Sequence, residues 1–343
     1  MAFQNMGIMQ LGSFGAKSGR PMALDAAGIS TGQVFLESAL EKRDTLLRTP
    51  LESHTWARDV DVEVGGGWDE FVSSLSVDFG VTGGSSDGLI NAPGADGIPM
   101  VQANFGKDLY RTHGVALGSR IQWVDMQRMM QNDIKANRNL DTVIRDGVRL
   151  AYEKHMDANL YVGFSKIGTT GLLNNANVAA ASVATGAGGS TAWNTKTADE
   201  ILTDFNTAIA DAWEAAEYDL DAIPNHILIP YAQLSLLSTM KVSNDASKSV
   251  LEYIKENNMA KNYGVDIFIG ATAYCKNAGA GSTDRMVVYC RKRRYVGLDE
   301  LAPLTRAMTS PNTDHFCYDT VYAANVSEAE IFYPETLVYA DGI

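Results

Sequence analysis

The sequence predicts an α+β protein: an extended, strand-rich front followed by a long helix and a compact module in which helices and strands alternate. Three observations lead there. Apolar residues recur with a period of two between Trp56 and Trp123, then with the helical spacing of three and four up to Phe164. Residues 180–319 switch repeatedly between helix and strand patterns. The 343 residues exceed what one hydrophobic core usually serves, while 45% hydrophobic and 20% charged residues place the chain among folded proteins and far from disorder.

Residues 1 to about 33 carry Gly7, Gly12, Gly15, Gly19, Gly28 and Gly32 among scattered Met and Phe, too sparse in apolar periodicity to fold alone, and read as an arm. Within it, "TGQVFLESALEKRDTLLRTPL" sets Val34, Leu36, Leu40, Leu46 and Leu47 at helical spacing before Pro50. From Trp56 to residue 122 the pattern is strand. Val60, Val62 and Val64 alternate with acids, and "WDEFVSSLSVDFGV" puts Phe71, Ser73, Leu75, Val77 and Phe79 on one face. The Gly- and Pro-rich "GGSSDGLINAPGADGIP" separates this run from "DLYRTHGVALGSRIQW", so the region reads as one long hairpin with a flexible tip. Two strands alone expose both faces and both edges. The missing cover is expected from another molecule, the competing expectation being that the hairpin folds back on its own domain. The apolar set Trp68, Phe71, Leu75 and Val77 is the candidate surface for contact between subunits.

Helical spacing returns in "VDMQRMMQNDIKA" and in "LDTVIRDGVRLAYEKHMDANLYVGF", where Leu140, Val143, Ile144, Val148, Ala151, Tyr152 and His155 form a stripe, Asn139 is a suitable N-cap, and Gly147 hints at a close packing contact. Such a helix over about 139–162 would be a strut roughly 30 Å long. A second helix begins at Thr197, where "TADE" makes a capping box with Glu200, and buries Ile201, Leu202, Phe205, Ile209, Ala212 and Trp213. "HILIP", "VDIFIG" and "RMVVYC" read as buried strands, "SVLEYIKENN" as a helix boxed by Ser249 and Glu252, and the C-terminal "EAEIFYPETLVYADGI" as strand interrupted by Pro334.

The stretch "VGFSKIGTTGLLNNANV" invites a phosphate-loop reading. Its glycines, however, follow a helix instead of opening one, so Gly163 reads as a C-terminal cap. "GAKSG" fails the Walker pattern, which needs Gly where this chain has Leu11 and Ala16. His54, His113, His155, His226 and His315 form no paired spacing for zinc or a triad, and His155 reads as a core residue on the helix stripe. Cys275, Cys290 and Cys317 match no metal knuckle and read as free thiols. No cofactor is called for. A formal charge of -13, from 41 acidic and 28 basic residues, argues against a nucleic-acid-gripping surface. The one dense basic run is "RKRRY". Its Arg291, Lys292, Arg293 and Arg294 are candidates for meeting a packaged polyanion or a neighbouring subunit's acidic rim, the alternative being a solvated turn. Neither a secretory signal nor a membrane span is expected.

In their order, "GTTGLLN", "WNTKTADEILTDFN", "PNHILIP", "SVLEYIKENN", "TDRMVVY" and "FYPETLVYADGI" resemble the tailed-bacteriophage and prophage major capsid family with the Hong Kong 97-like fold, over about residues 100–343. The resemblance implies an N-terminal arm (1–55), an extended hairpin called the E-loop with flanking strands (56–122), a peripheral domain with a spine helix (123–179), an α/β axial domain (180–319), and C-terminal strands returning to the peripheral domain (320–343). It implies a non-enzymatic shell subunit, assembled in the bacterial cytoplasm into hexamers, pentamers and an icosahedral virion capsid around double-stranded DNA that it does not bind sequence-specifically. Portal, scaffolding and decoration proteins would be its further partners, with no membrane involved. No motif places a covalent crosslink. An encapsulin-like compartment and a soluble α/β enzyme are the alternative readings.

Overall fold

The computed structural model describes residues 53–82, 99–127, 140–243 and 248–343. The arm to residue 52 and its expected helix, the hairpin tip at 83–98, and the helical pattern at 128–139 with the Asn139 cap lie outside the described residues.

A single helical turn, α1 (Trp56–Asp59), leads into β1 (Asp61–Val64), β2 (Phe71–Thr82) and the long β3 (Met100–Gln122). The spine helix α2 (Leu140–Tyr161) follows, then β4 (Ala179–Ser182) and α3 (Ala198–Ala215). Next come β5 (His226–Ile229), α4 (Tyr231–Thr239), α5 (Val250–Asn257), α6 (Met259–Asn262) and β6 (Phe268–Ala271). The chain closes with β7 (Arg285–Tyr289), β8 (Val296–Glu300), β9 (Ala302–Asn312), β10 (Cys317–Ser327), β11 (Glu330–Ile331) and β12 (Leu337–Asp341).

The described strands form three sheets, ordered β4-β12-β7-β5-β6, β2-β3-β10-β9 and β1-β8-β11. The five-stranded sheet divides the apolar interior in two, because alternate side chains point to opposite faces. Val287, Tyr289, Leu337 and Tyr339 face the spine-helix residues Tyr152, Met156, Leu160 and Tyr161. Met286, Val288, Ile227 and Ile229 face Ile201, Phe205, Ile209 and Trp213 of α3. The α3 stripe is the one its spacing predicts, and Thr197 closes the full capping box with Glu200. At α5 the Ser249 hydroxyl accepts the Glu252 N–H at 3.3 Å, which is half of a box.

Two expected boundaries move. The expected break at 319/320 falls inside β10, which pairs with β3 and β9, so residues 302–327 extend the hairpin's sheet instead of closing the 180–319 module. The last strand stays inside that module: β12 lies between β7 and β4. Alternation along a strand fixes which face is buried and carries no information about its partner, so both pairings were invisible locally. Gly147 is also corrected. A Cβ there would meet open space, and no packing contact accounts for it. Along α2 the buried stripe starts at Val148 and runs through Tyr152 and Met156 to Leu160, while Val143 and Ala151 are exposed.

Candidate assembly surfaces

The outer half of the hairpin is a two-stranded ribbon in continuous antiparallel register from Phe71↔Arg111 to Thr82↔Met100. Directly opposed residues share a face. One face therefore carries Phe71, Leu75, Val77, Phe79 and Val81 with Val101, Phe105 and Leu109. All of them are exposed, Leu75 by 74%, Phe79 by 73% and Phe105 by 78%. The opposite face is polar, with Ser74 against Asp108, Ser76 against Gly106 and Asp78 against Asn104. Such a ribbon has one apolar face, and no described residue of the chain covers it. The β3 half of the surface escaped the sequence reading, although the alternation of Val101, Ala103, Phe105 and Leu109 was available to find it. Trp68 lies off the ladder. Its ring sits 3.7 Å from where a Gly114 Cβ would stand, on the opposite side of β3 from the odd-numbered apolar residues.

The inner half of β3 is different. Residues 112–122 pair with β10 in register from Thr112↔Ser327 to Gln122↔Cys317, and β10 pairs in turn with β9. The root thus folds back on its own domain, as the competing expectation had it, and among the described residues the hairpin is free-standing only in its outer half. Side chains lock this root. Tyr110 Oη donates to the Ile331 carbonyl at 3.0 Å, Arg111 N–H to Glu328 Oε1 at 3.0 Å, and Asn325 Nδ2 to the carbonyls of Gly67 and Asp69, each at 3.1 Å. Behind the root, Asn159 Nδ2 of α2 donates to the Ser327 carbonyl at 2.7 Å.

His113 of β3 meets the spine helix here. Its ring lies 5.9 Å from that of His155 and 5.6 Å from Phe164, and His155 stacks on Phe164 at 4.7 Å. Burial and the neighbouring His155 push His113 down to about 4, and burial lowers His155 as well. Both are packing residues in their neutral form, in keeping with the core reading of His155.

The loop after α2 is a clamp on the helix end. Gly163 adopts φ +71°, and its N–H donates to the Ala158 carbonyl at 3.0 Å. The chain then folds back so closely that a Cβ on Gly171 would stand 2.4 Å from the Tyr161 carbonyl carbon. Leu172 and Leu173 N–H groups take the Leu160 and Tyr161 carbonyls at 2.7 and 3.0 Å, and Asn174 Nδ2 takes that of Val162 at 2.7 Å. Gly163 and Gly171 are needed for backbone-to-backbone approach, and the N–H groups of Gly163, Gly168, Gly171, Leu172 and Leu173 already have acceptors within the chain.

The basic run turns onto acids of its own chain. Arg291 pairs with Asp61 at 2.9 Å, Lys292 and Arg294 with Asp221 at 2.5 and 3.7 Å, and Arg293 with Glu63 at 3.4 Å, Glu330 at 3.1 Å and also Asp299. Arg293 lies directly over Gly297, where any Cβ would collide with its guanidinium. The run therefore ties the β7–β8 turn to β1, β11 and Asp221, with Arg293 as the staple and the Arg294 side chain still 62% exposed. Burial and the nearby Asp299 push Glu330 up to about 7 despite Arg293.

Deeper still is a hub that sequence reading missed. Asp59, fully buried at the end of α1, accepts from Arg58 at 2.6 and 2.9 Å and from Tyr161 Oη, and meets His226 Nε2 at 3.2 Å. Its carbonyl accepts from Tyr289 Oη at 2.6 Å. Burial opposes its charge, but the bonds from His226, Arg58 and Tyr161 outweigh that and hold its pKa below normal. No local signal marks Asp59, because its partners come from α1, α2, β5 and β7.

Among the described residues no group of His, Cys, Asp and Glu is arranged to hold a metal ion, and no helix is long and apolar enough to cross a membrane. What stands out is surface shaped for protein contact. A sequence profile of major capsid proteins matches residues 88–343. The chain belongs to the major capsid protein family. It is a structural shell subunit that assembles with copies of itself, not an enzyme, and its place is the virion capsid. Solved structures share its fold at low identity. The capsid of Myoviridae phage XM1 is 17% identical with a TM-score of 0.70, the match covering 89% of this chain and 98% of that one. The capsid of a native GTA particle is 14% identical at 0.59, covering 93% and 99%. A structure from Microbacterium phage Oxtober96 is 12% identical at 0.59, covering 93% and 98%. No curated protein matches the sequence.

Proposed function

We propose that this capsid subunit builds hexamers and pentamers that close into an icosahedral shell around the double-stranded DNA of a tailed phage or prophage, with the apolar ribbon face of each copy lying on a neighbour. The observation that carries this reading is the ribbon itself: eight exposed apolar side chains on one face of two strands, anchored at the root and covered by no described residue beyond it. Burial of that face is favourable by roughly 25 cal/mol per Å² of apolar area, and a neighbouring copy supplies the cover that no described residue of the chain provides. Residues 56–122 then serve as the E-loop with its flanking strands, α2 as the spine, and the five-stranded sheet with α3 to α6 as the axial module. Portal, scaffolding and decoration proteins would join this shell in the host cytoplasm. The acid excess suits a container that releases its genome.

Size-exclusion chromatography and negative-stain microscopy of the purified chain test the reading. Capsomers or closed particles are expected, together with weak, salt-insensitive association of the isolated subunit with duplex DNA. A stable monomer, or tight DNA binding with a steep salt slope, would overturn it.

A further inference from the structure

The segment that closes the hairpin root is short and crowded with charge. Residues 328–332 run between the root and the basic turn, and β11 holds to β8 through two residue pairs, Glu330↔Gly297 and Ile331↔Val296. On the root side, Glu328 N–H donates to the Arg111 carbonyl and Arg111 N–H to Glu328 Oε1, each at 3.0 Å. Tyr110 Oη donates to the Ile331 carbonyl, and the Tyr110 ring meets Phe332 edge-on at 5.4 Å. On the other side, Phe332 N–H donates to the Tyr295 carbonyl at 2.9 Å, and the Arg293 guanidinium lies over the Phe332 ring at 5.6 Å. The segment therefore clamps the root to the body.

Glu330 is the weak point of the clamp. Its side chain is fully buried, and neither carboxylate oxygen has a hydrogen-bond partner among the described residues. Arg293 Nη2 stands 3.1 Å from Glu330 Oε2, but that nitrogen also serves Asp299. Arg293 Nε leans on Glu63 at 3.4 Å, and its Nη1 is buried without an acceptor. One guanidinium thus faces three carboxylates: Glu330, the half-buried Asp299 of β8 and the exposed Glu63 of β1. The Ser327 hydroxyl is spent, donating to the Glu328 carbonyl and accepting the Asp299 N–H, both at 2.9 Å. From β3 come Arg111, through its main chain, and Tyr110, a neutral phenol pushed up to about 12 by burial and the acids Asp108, Glu330 and Glu328. From α2 the neutral Asn159 reaches the Ser327 carbonyl. A carboxyl group placed this way is costly when charged and favoured when protonated.

We propose that Glu330 is a proton-operated latch on the hairpin: protonated, it keeps residues 328–332 seated and the root fixed, and on ionising it loosens that segment together with the Tyr110 and Arg111 contacts. Burial and Asp299 push Glu330 up to about 7 despite Arg293, from an ordinary value of 4.5. The latch is complete below pH 4.5 and is lost as pH rises towards 7, beyond which the seated and loosened forms are equally ionised. A strand of two residues opens without unfolding the body, so the response is local. It belongs to the single subunit and does not rest on the shell reading.

Hydrogen exchange of the purified, unassembled chain tests the latch, read at the Arg111, Glu328 and Phe332 amides and corrected for the intrinsic dependence of exchange on pH. From pH 5 to pH 8, protection at these amides falls by about tenfold or more in wild type, while Val287 in the five-stranded sheet keeps its own. In Glu330→Gln, a neutral isostere of the protonated acid, protection stays level or rises, because His113 acts with the opposite sign over this range. Unchanged protection in wild type overturns the latch without recourse to the variant. An equal fall in Glu330→Gln assigns the response to another group, and a fall shared by Val287 makes it global unfolding; either result overturns the proposal.

Discussion

The two halves of β3 share one strand and one alternation, yet they live in different surroundings. From Thr112 to Gln122 the strand has β10 beside it and the spine helix behind it, and His113, Val115 and Leu117 pack against the body. From Met100 to Leu109 its only strand partner among the described residues is β2, and its apolar residues are exposed. The difference teaches that strand patterning encodes an apolar face without saying whose surface will cover it. At the root the cover is intramolecular and the cost of ordering the chain is met on folding. In the ribbon, on the proposed reading, it is deferred to assembly. Changes at the root or in the core behind it should therefore cost folding, and changes in the ribbon should cost assembly alone.

The largest effect on folding is expected at the hub. Asp59→Ala leaves Arg58, His226 and Tyr161 facing an empty site and should destabilise the subunit by about 3–5 kcal/mol, read by denaturant unfolding. A loss below about 1 kcal/mol would show that the hub does not hold α1 and the spine helix together. Gly171→Ala, which forces a methyl against the Tyr161 backbone, should cost about 1–3 kcal/mol in the same measurement. A neutral result would mean that the helix-end clamp relaxes freely.

A pH series sharpens the comparison at the joint itself. The pKa of His113 is lower in the folded chain than its ordinary value of 6.5, at about 4. The unfolded chain thus binds more protons in that interval. The stability His113 contributes is complete above pH 6.5 and is lost as pH falls towards 4. Glu330, raised to about 7, acts with the opposite sign, favouring the folded state below its ordinary value of 4.5 and losing that contribution as pH rises towards 7. The difference between wild type and His113→Leu isolates the histidine: the variant's stability should fall less between pH 6.5 and 4. Parallel curves would remove the imidazole pair from the account. The smallest effect is expected at Gly147, exposed in mid-helix with open space at its Cβ. Gly147→Ala should stabilise the subunit by about 0.5–1 kcal/mol, and destabilisation would point to a contact made only in the assembled shell.

What could be read from the sequence was local. The Thr197 box, the α3 stripe, the buried strands at 226–229 and 285–289, the spine helix and the alternation of Phe71 to Phe79 each follow from spacing within one segment, and the structure keeps all of them. The helix-capping reading of Gly163 succeeded for the same reason. What could not be read was partnership. β3 and β10 meet across most of the chain, Asp59 gathers groups from four elements, and the acids that hold Arg291 to Arg294 come from positions as distant as Asp61 and Glu330. A basic run has the same composition whether it faces solvent or its own chain, so only the tertiary structure could turn it inward. Trp68 does not group with the others because it precedes the first ladder pair, Phe71↔Arg111, and lies on the Gly114 side of β3.

The most direct test of the central claim is to place charge on the ribbon and leave the body untouched, using the double variant Leu75→Asp with Phe105→Asp. Both side chains are exposed in the free subunit, so unfolding should stay within about 0.5 kcal/mol of wild type, while particle yield by negative-stain microscopy and size-exclusion chromatography falls at least tenfold. A variant that still assembles at the wild-type yield, or one that unfolds along with losing assembly, would contradict the claim that the ribbon's apolar face is covered by another copy of the chain.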